Sequence, residues 1–357
     1  MTADVAAAPA RKWGYDLLRI ASICGVVAIH TFGAIAANQD IRGSAPWVAT
    51  QFLSAGFIWA VPVFVMLSGA LSLTERAHSA GPARFLAKRA TRILPAILAW
   101  TFIYLVLIRM LLLQQRIPLR DVLAELVDAR VYPHLYFLWL IAGLYLVAPV
   151  IAAFLHRGGR RRATVLAAAA LGTTLLVFMV PGVLGLLGIP RPIQLGALTF
   201  WIAYVGYFVA GYALSLYRAK GPALALAAVG IVVFGGLTLV EAAWPQQLMV
   251  LRAFVTPEYL GVAVAGLAVC VFIVGTTLLD RIRIGERLAR FVLLLSEASF
   301  GVFLIHLIVL LIPYELLPGF RDNTSLFQAA VAYVFIIVVS FAASIGARRI
   351  PGLRRIF

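Results

Sequence analysis

About ten stretches of roughly 20 consecutive apolar residues run through this chain, the length an α-helix needs to cross the roughly 30 Å hydrocarbon core of a bilayer. They lie at roughly 15–37, 47–73, 93–113, 134–155 and 163–187, then at about 196–217, 222–240, 258–279, 291–312 and 325–347. Glycines and the pair Pro190 and Pro192 blur the boundaries between 182 and 198. The expected fold is an all-α, polytopic transmembrane bundle. Composition agrees: 63% of residues are hydrophobic and 12% charged, and no water-soluble fold could hide that much apolar surface. No linker or composition shift divides residues 1–357, which read as one membrane domain without a soluble appendage.

An even number of spans puts both termini on one side, and basic residues should mark that side as cytoplasmic. Of the 30 lysines and arginines, 21 fall in loops on the side of the termini, from Arg11 and Lys12 to Arg354 and Arg355. Only seven fall opposite: Arg42, Arg116, Arg120, Arg130, Arg191, Arg252 and Arg321. A missed or extra helix would invert every later loop, so this bias supports ten spans with both termini cytoplasmic. The first apolar run is too long for a signal peptide and lacks a small-residue cleavage site, so it reads as the first span. The formal charge of +16 sits in short collars at helix ends, where it orients the protein and meets anionic lipid headgroups. Nucleic acid is not an expected partner. Cys24 and Cys270 lie in apolar runs without metal-ligand or pairing spacing, so free thiols and no metal are expected.

Ionisable groups inside a bilayer cost at least about 2.5 kcal/mol each on insertion scales, so each is a functional candidate. Arg19 and His30 share the first span, eleven residues apart. At 100° per residue they return to within about 20° of one face, about 16 Å apart along the axis. One stripe thus carries a cation near the cytoplasmic surface and an imidazole near mid-bilayer, and Asp16 is placed to pair with Arg19 at i,i+3. His306 should lie at the depth of His30 on the ninth span, with Glu297 at the depth of Arg19 as a possible partner. Ahead of the third span, Phe85, Lys88, Arg89, Arg92 and Pro95 form a basic cytoplasmic loop segment, and arginines suit phosphates through planar, multidentate bonding. His78 and His156 read as solvated loop residues. His134, opening the fourth span on the outer side, reads as an interface residue or one that meets an outer substrate. Walker A, Rossmann, zincin and lipase-type motifs are absent, which argues against a nucleotide-driven pump or a soluble-type hydrolase.

At these residues the chain resembles the membrane-bound acyltransferase family 3, in its short branch of surface-polysaccharide O-acyltransferases. The matching stretches are DLLRIASICGVVAIH (16–30), with its Arg, ten residues, His arrangement, FVMLSG (64–69) with Ser68, and FLAKRATRILP (85–95). HLYFLWLIAGLYLVAP (134–149), GYFVAGY (206–212) and SFGVFLIH (299–306) follow in order. Unlike larger members, the chain lacks a fused esterase-like domain. The resemblance implies transfer of an acyl group, usually acetyl, from cytoplasmic acyl-coenzyme A to a hydroxyl of an envelope glycan or lipid-linked saccharide, in a bacterial cytoplasmic (inner) membrane. It implies His30 as catalytic histidine, with Arg19 and the Phe85/Arg89 motif serving donor binding and site organisation. The residues themselves fit that implication: Lys88 and Arg92 would add to the phosphate site, and Ser68, Asp16, His134, Glu297 and His306 would support substrate or machinery. A transporter or flippase coupling protons or anions through His30 and Arg19 is the rival reading, although no paired halves with interrupted helices are evident.

Overall fold

A computed structural model describes residues 12–244, 246–256 and 258–357; Arg11, counted above in the cytoplasmic collar, lies outside them. Every regular element among the described residues is helical. Nine helical stretches are long and apolar enough to cross a membrane. They are α1 (Trp13–Ala37), α2 (Ala45–Ala55) continued by α3 (Ala60–Ser72), then, after the short α4 (Glu75–His78), α5 (Pro82–Phe102) extended by a π-helical segment, Ile103–Leu112. After α6 (Leu119–Val127) come α7 (Tyr136–His156) and α8 (Gly159–Leu186). Then follow α9 (Phe200–Ser215), α10 (Pro222–Ala243), α11 (Met249–Val255), α12 (Val262–Leu278), α13 (Glu286–Leu316), α14 (Pro318–Arg321) and α15 (Leu326–Ala347).

The segment expected to span at 196–217 is α9, whose 16 residues fall short of the usual length. It is nonetheless largely internal, with residues 206–213 all buried. It reaches this position through small residues. A Cβ on Gly69 of α3 would run into the Phe208 carbonyl oxygen, and one on Gly211 of α9 into the Met66 carbonyl oxygen. The two backbones therefore touch, as in the small-residue interfaces that drive helix association where lipid removes the hydrophobic incentive.

The outward surface is the inverse of a soluble protein's. Leu98, Val150, Val232 and Phe327 are all more than two-thirds exposed, as lipid-facing side chains should be. Burial grades the helices from centre to edge: the most apolar window of α13 is 56% buried, and those of α8 and α10 only 11%. Two interior hydroxyls turn back on their own helices, Thr31 to Val27 O and Ser299 to Leu295 O, so they need no partner from hydrocarbon.

The largest departure from expectation is at α5. Its first turns are the stretch Phe85–Pro95, read above as a loop, and the helix continues through Pro95 into the membrane. Pro82 at the first helical turn favours the start, because its missing N–H has no intrahelical duty there. The consequence is geometric: residues 85, 89 and 92, at i, i+4 and i+7, share one helix face.

Gly211→Val should therefore lower the thermal stability of the protein in detergent by at least the ~1–3 kcal/mol typical of overpacked cores. Gly172→Val is the control, because a Cβ at that position meets nothing within 4 Å. Equal melting temperatures for the two variants would contradict the close α3–α9 approach.

Candidate functional site

The α1–α13 contact orders the site. Ser296 Oγ donates to Asp16 Oδ1 at 2.6 Å and accepts from Arg19 Nη1 at 2.9 Å, while Arg19 lies 3.5 Å from the Asp16 carboxylate. Ten residues along α13, the His306 ring lies 5.2 Å from that of His30, eleven residues along α1 from Arg19. Two helices meeting at both places run parallel and in register, so the expected depth match of the histidines becomes a contact. Glu297 does not emerge as the carboxylate that seats Arg19. Asp16 and Ser296 hold Arg19, and the Glu297 carboxylate accepts from Arg348, the residue after α15, at 2.8 Å.

Arg19 and Ser296 of this junction also line a cavity of about 530 Å³, within the usual range for ligand sites. Four arginines line it: Arg19, Arg89, Arg92 and Arg348, with Ser68, Ser72 and Glu297. Its deeper walls are apolar, including Val26, Leu138, Phe137 and Phe303. Arg89 is built in: its Nη2 donates to Ser72 Oγ at 3.3 Å, and its guanidinium lies 5.2 Å and 4.8 Å from the ring centroids of Phe85 and Tyr145. Phe85 thus positions Arg89 rather than lining the chamber. Arg92 lies over Phe300, 5.6 Å from its centroid. Lys88 is exposed and does not line the chamber, because a step of one residue turns it about 100° from Arg89 around the helix.

The histidines sit beyond the chamber's apolar end. Phe303 belongs to both regions: it lines the chamber, and its ring centroid lies 5.1 Å from His134, 6.2 Å from His306 and 5.3 Å from Phe137. His134 was read as an interface residue or one that meets an outer substrate; it is 2% exposed and its ring lies 5.2 Å from that of His306. Three imidazoles from α1, α13 and the turn before α7 therefore form one cluster. His306 Nδ1 meets the Phe303 carbonyl at 2.7 Å and that of Val302 at 3.2 Å. Carbonyls only accept, so Nδ1 carries hydrogen and Nε2 of the neutral ring is a lone-pair acceptor, buried without a protein partner. The same reasoning makes His134 Nε2, 3.4 Å from Leu304 O, the donor and its buried Nδ1 the acceptor. No cluster of His, Cys, Asp or Glu suited to a metal ion occurs among the described residues.

Sequence reading missed Arg348 and Ser296. The first was one basic residue among many in a terminal collar, and the second a lone hydroxyl in an apolar run. It also misjudged His78 and His156. His78 Nε2 donates to Ser72 O at 2.9 Å and His156 Nε2 to Leu73 O at 2.8 Å, so the two imidazoles cap the C-terminal carbonyls of α3. The His78 ring also stacks on Phe85 at 4.3 Å, behind Arg89.

Burial lowers the His78 pKa from its ordinary 6.5, the Ser72 carbonyl bond opposes this, and His156 and Arg89 lower it further. A histidine with a lowered folded-state pKa contributes stability that is complete above about 6.5 and declines as pH falls through the folded value. Melting temperatures should drop between about pH 7 and pH 5, and His78→Gln, whose amide can still donate to Ser72 O, should flatten part of that slope. Identical pH profiles for the two proteins would refute the assignment.

The family description of an acyltransferase domain matches the chain over residues 12–349, nearly its whole length. No curated protein and no solved structure matches it. The match takes in the α1 stripe, the arginine chamber and the histidine cluster alike, and the chain belongs to acyltransferase family 3, as a multi-pass membrane acyltransferase.

Proposed function

We propose that the protein transfers an acyl group, most simply acetyl, from cytoplasmic acyl-coenzyme A to a hydroxyl of an envelope glycan or lipid-linked saccharide in a bacterial cytoplasmic membrane, with His30 as the catalytic base. The observation that carries this reading is the arrangement of an arginine-lined chamber on one side of Phe303 and a histidine cluster on the other. Arg19, Arg89, Arg92 and Arg348 fit a polyphosphate group, and the apolar wall toward Phe303 fits an extended acyl-bearing arm. Such a donor would present its thioester toward the imidazoles while its charged end stayed at the cytoplasmic face.

In the proposed step His30 takes the proton of the acceptor hydroxyl, and the oxygen attacks the thioester carbonyl. The C–S bond then breaks, and the leaving thiolate takes the proton back from the imidazolium. An ester and a free thiol result, with no external oxidant or base consumed. His306, 5.2 Å away with its tautomer set by backbone carbonyls, supports His30. Asp16 acts through Ser296 to hold the Arg19 guanidinium, and Ser68 adds a hydroxyl to the chamber wall.

Membranes containing the protein should move label from radiolabelled acetyl-coenzyme A onto the glycan, and His30→Ala should abolish this at unchanged protein level. A loss of about 100-fold or more is expected for a general base. Arg19→Ala and Arg89→Ala should weaken acetyl-coenzyme A binding by roughly tenfold each, given about 1.5–3 kcal/mol for a charged hydrogen bond. Full transfer by His30→Ala would sink the mechanism, and unaltered donor binding by both arginine variants would move the donor elsewhere. Glycan flux without donor dependence would favour the transporter reading.

A further inference from the structure

The outer end of the third span carries a cation that the arginine chamber does not use. Arg109 lies in the π-helical segment with its side chain 17% exposed. Its guanidinium joins three pieces of chain. It pairs with both carboxylate oxygens of Glu125 on α6, Nε donates to Gln115 Oε1 at 2.9 Å, and Nη1 donates to the Val131 carbonyl at 3.0 Å. Only a planar five-donor fork makes this set of bonds; a lysine could keep the charge pairing but not the geometry. The same π-helical segment carries Tyr104, whose ring lies 5.0 Å from that of His134.

The segment pinned at Val131 ends at the cluster. The Tyr132 ring lies 4.2 Å from that of Tyr104, and the Tyr104 hydroxyl donates to Leu304 O at 2.7 Å. His134 Nε2 donates to that same carbonyl. His134 and His306 are each at least 98% buried, and each keeps one acceptor nitrogen without a protein partner, on rings whose centroids are 5.2 Å apart. An acceptor nitrogen left unpaired in the interior is a place for a donor such as a hydroxyl. Tyr132, only partly buried, offers an aromatic face on the same segment, as sugar rings favour.

We infer that residues 131–135 form the acceptor-side wall of the histidine cluster, a binding site for a hydroxyl of a saccharide, and that Arg109 is the positioning residue that sets this wall through Glu125 and Val131. The inference rests on acyl transfer to a hydroxyl as proposed above, and it adds where the hydroxyl binds and what holds that place. Arg109 touches neither substrate. Its loss displaces a backbone segment next to His306, and misplacements of about 1 Å cost on the order of 100-fold in rate.

The test uses the full-length protein in lipid nanodiscs and, as probe, envelope glycan from the source cell stripped of its acyl esters with mild base. Arg109→Met should raise the KM for this glycan about tenfold or more, within the range that small misplacements produce, while acetyl-coenzyme A binding stays unchanged. Arg109→Lys, which keeps the charge, should fall between, and amide exchange of residues 131–135 should rise in the order wild type, Lys, Met. Wild-type glycan KM in Arg109→Met, or glycan and donor binding lost in parallel in both variants, overturns the inference. Direct glycan binding is measured alongside turnover. Binding that weakens in Arg109→Met, with no acyl transfer by the wild type, upholds the wall and overturns the transfer reading; no glycan binding by the wild type overturns the wall.

Discussion

The contact of Asp16, Arg19 and Ser296 sets the register of α1 against α13, and the placement of the histidines depends on that register. A guanidinium at the membrane boundary is tolerable only with partners that satisfy its donors, and here they come from its own helix and from α13. The hydroxyl of Ser296, fixed between donor and acceptor, leaves little freedom to slide one helix along the other. A shift by one turn would move His306 about 5.4 Å along the axis and end its contact with His30. The polar junction and the imidazole contact are therefore the two ends of a single alignment.

The division of the interior into a charged chamber and a buried imidazole cluster follows the same economy. Arginines can remain charged near the membrane surface, where water reaches them, and their carbon stems and aromatic neighbours line the way inward. Imidazoles deeper in the bundle are better kept neutral, and the backbone carbonyls of Val302, Phe303 and Leu304 hold two of them in defined tautomers without adding a charge. Phe303 stands where the two environments meet, presenting an apolar ring to both.

The periphery serves a different end. α8 and α10 contribute mostly lipid-facing surface, whereas α9, too short to cross comfortably, fills the interior through glycine contacts with α3. Those contacts support α3, whose C-terminal carbonyls are capped by His78 and His156 and whose Ser72 carries Arg89. Residues beyond the span ends that look like ordinary collar charges thus become parts of the chamber wall once the helix end they cap is in place.

Hydrophobic period and length by themselves determined that this chain is a polytopic helical bundle, because hydrocarbon leaves the backbone no other way to satisfy its polar groups. Helical geometry alone also put Arg19 and His30 on one stripe, since both residues belong to one helix. Which residues from other helices would join them was decided only by the tertiary structure. Arg348 is 329 residues from Arg19 in the chain, and His134 is 172 residues from His306; no local pattern marks either as a partner. Even the basic run at 84–92 changed meaning when it proved to be a helix, because a loop scatters its side chains and a helix aligns those at i, i+4 and i+7. Composition and period report what each segment must avoid, water or lipid. Partnership depends on which small residues let two backbones approach and which polar groups satisfy each other across them, and those are properties of the packed bundle.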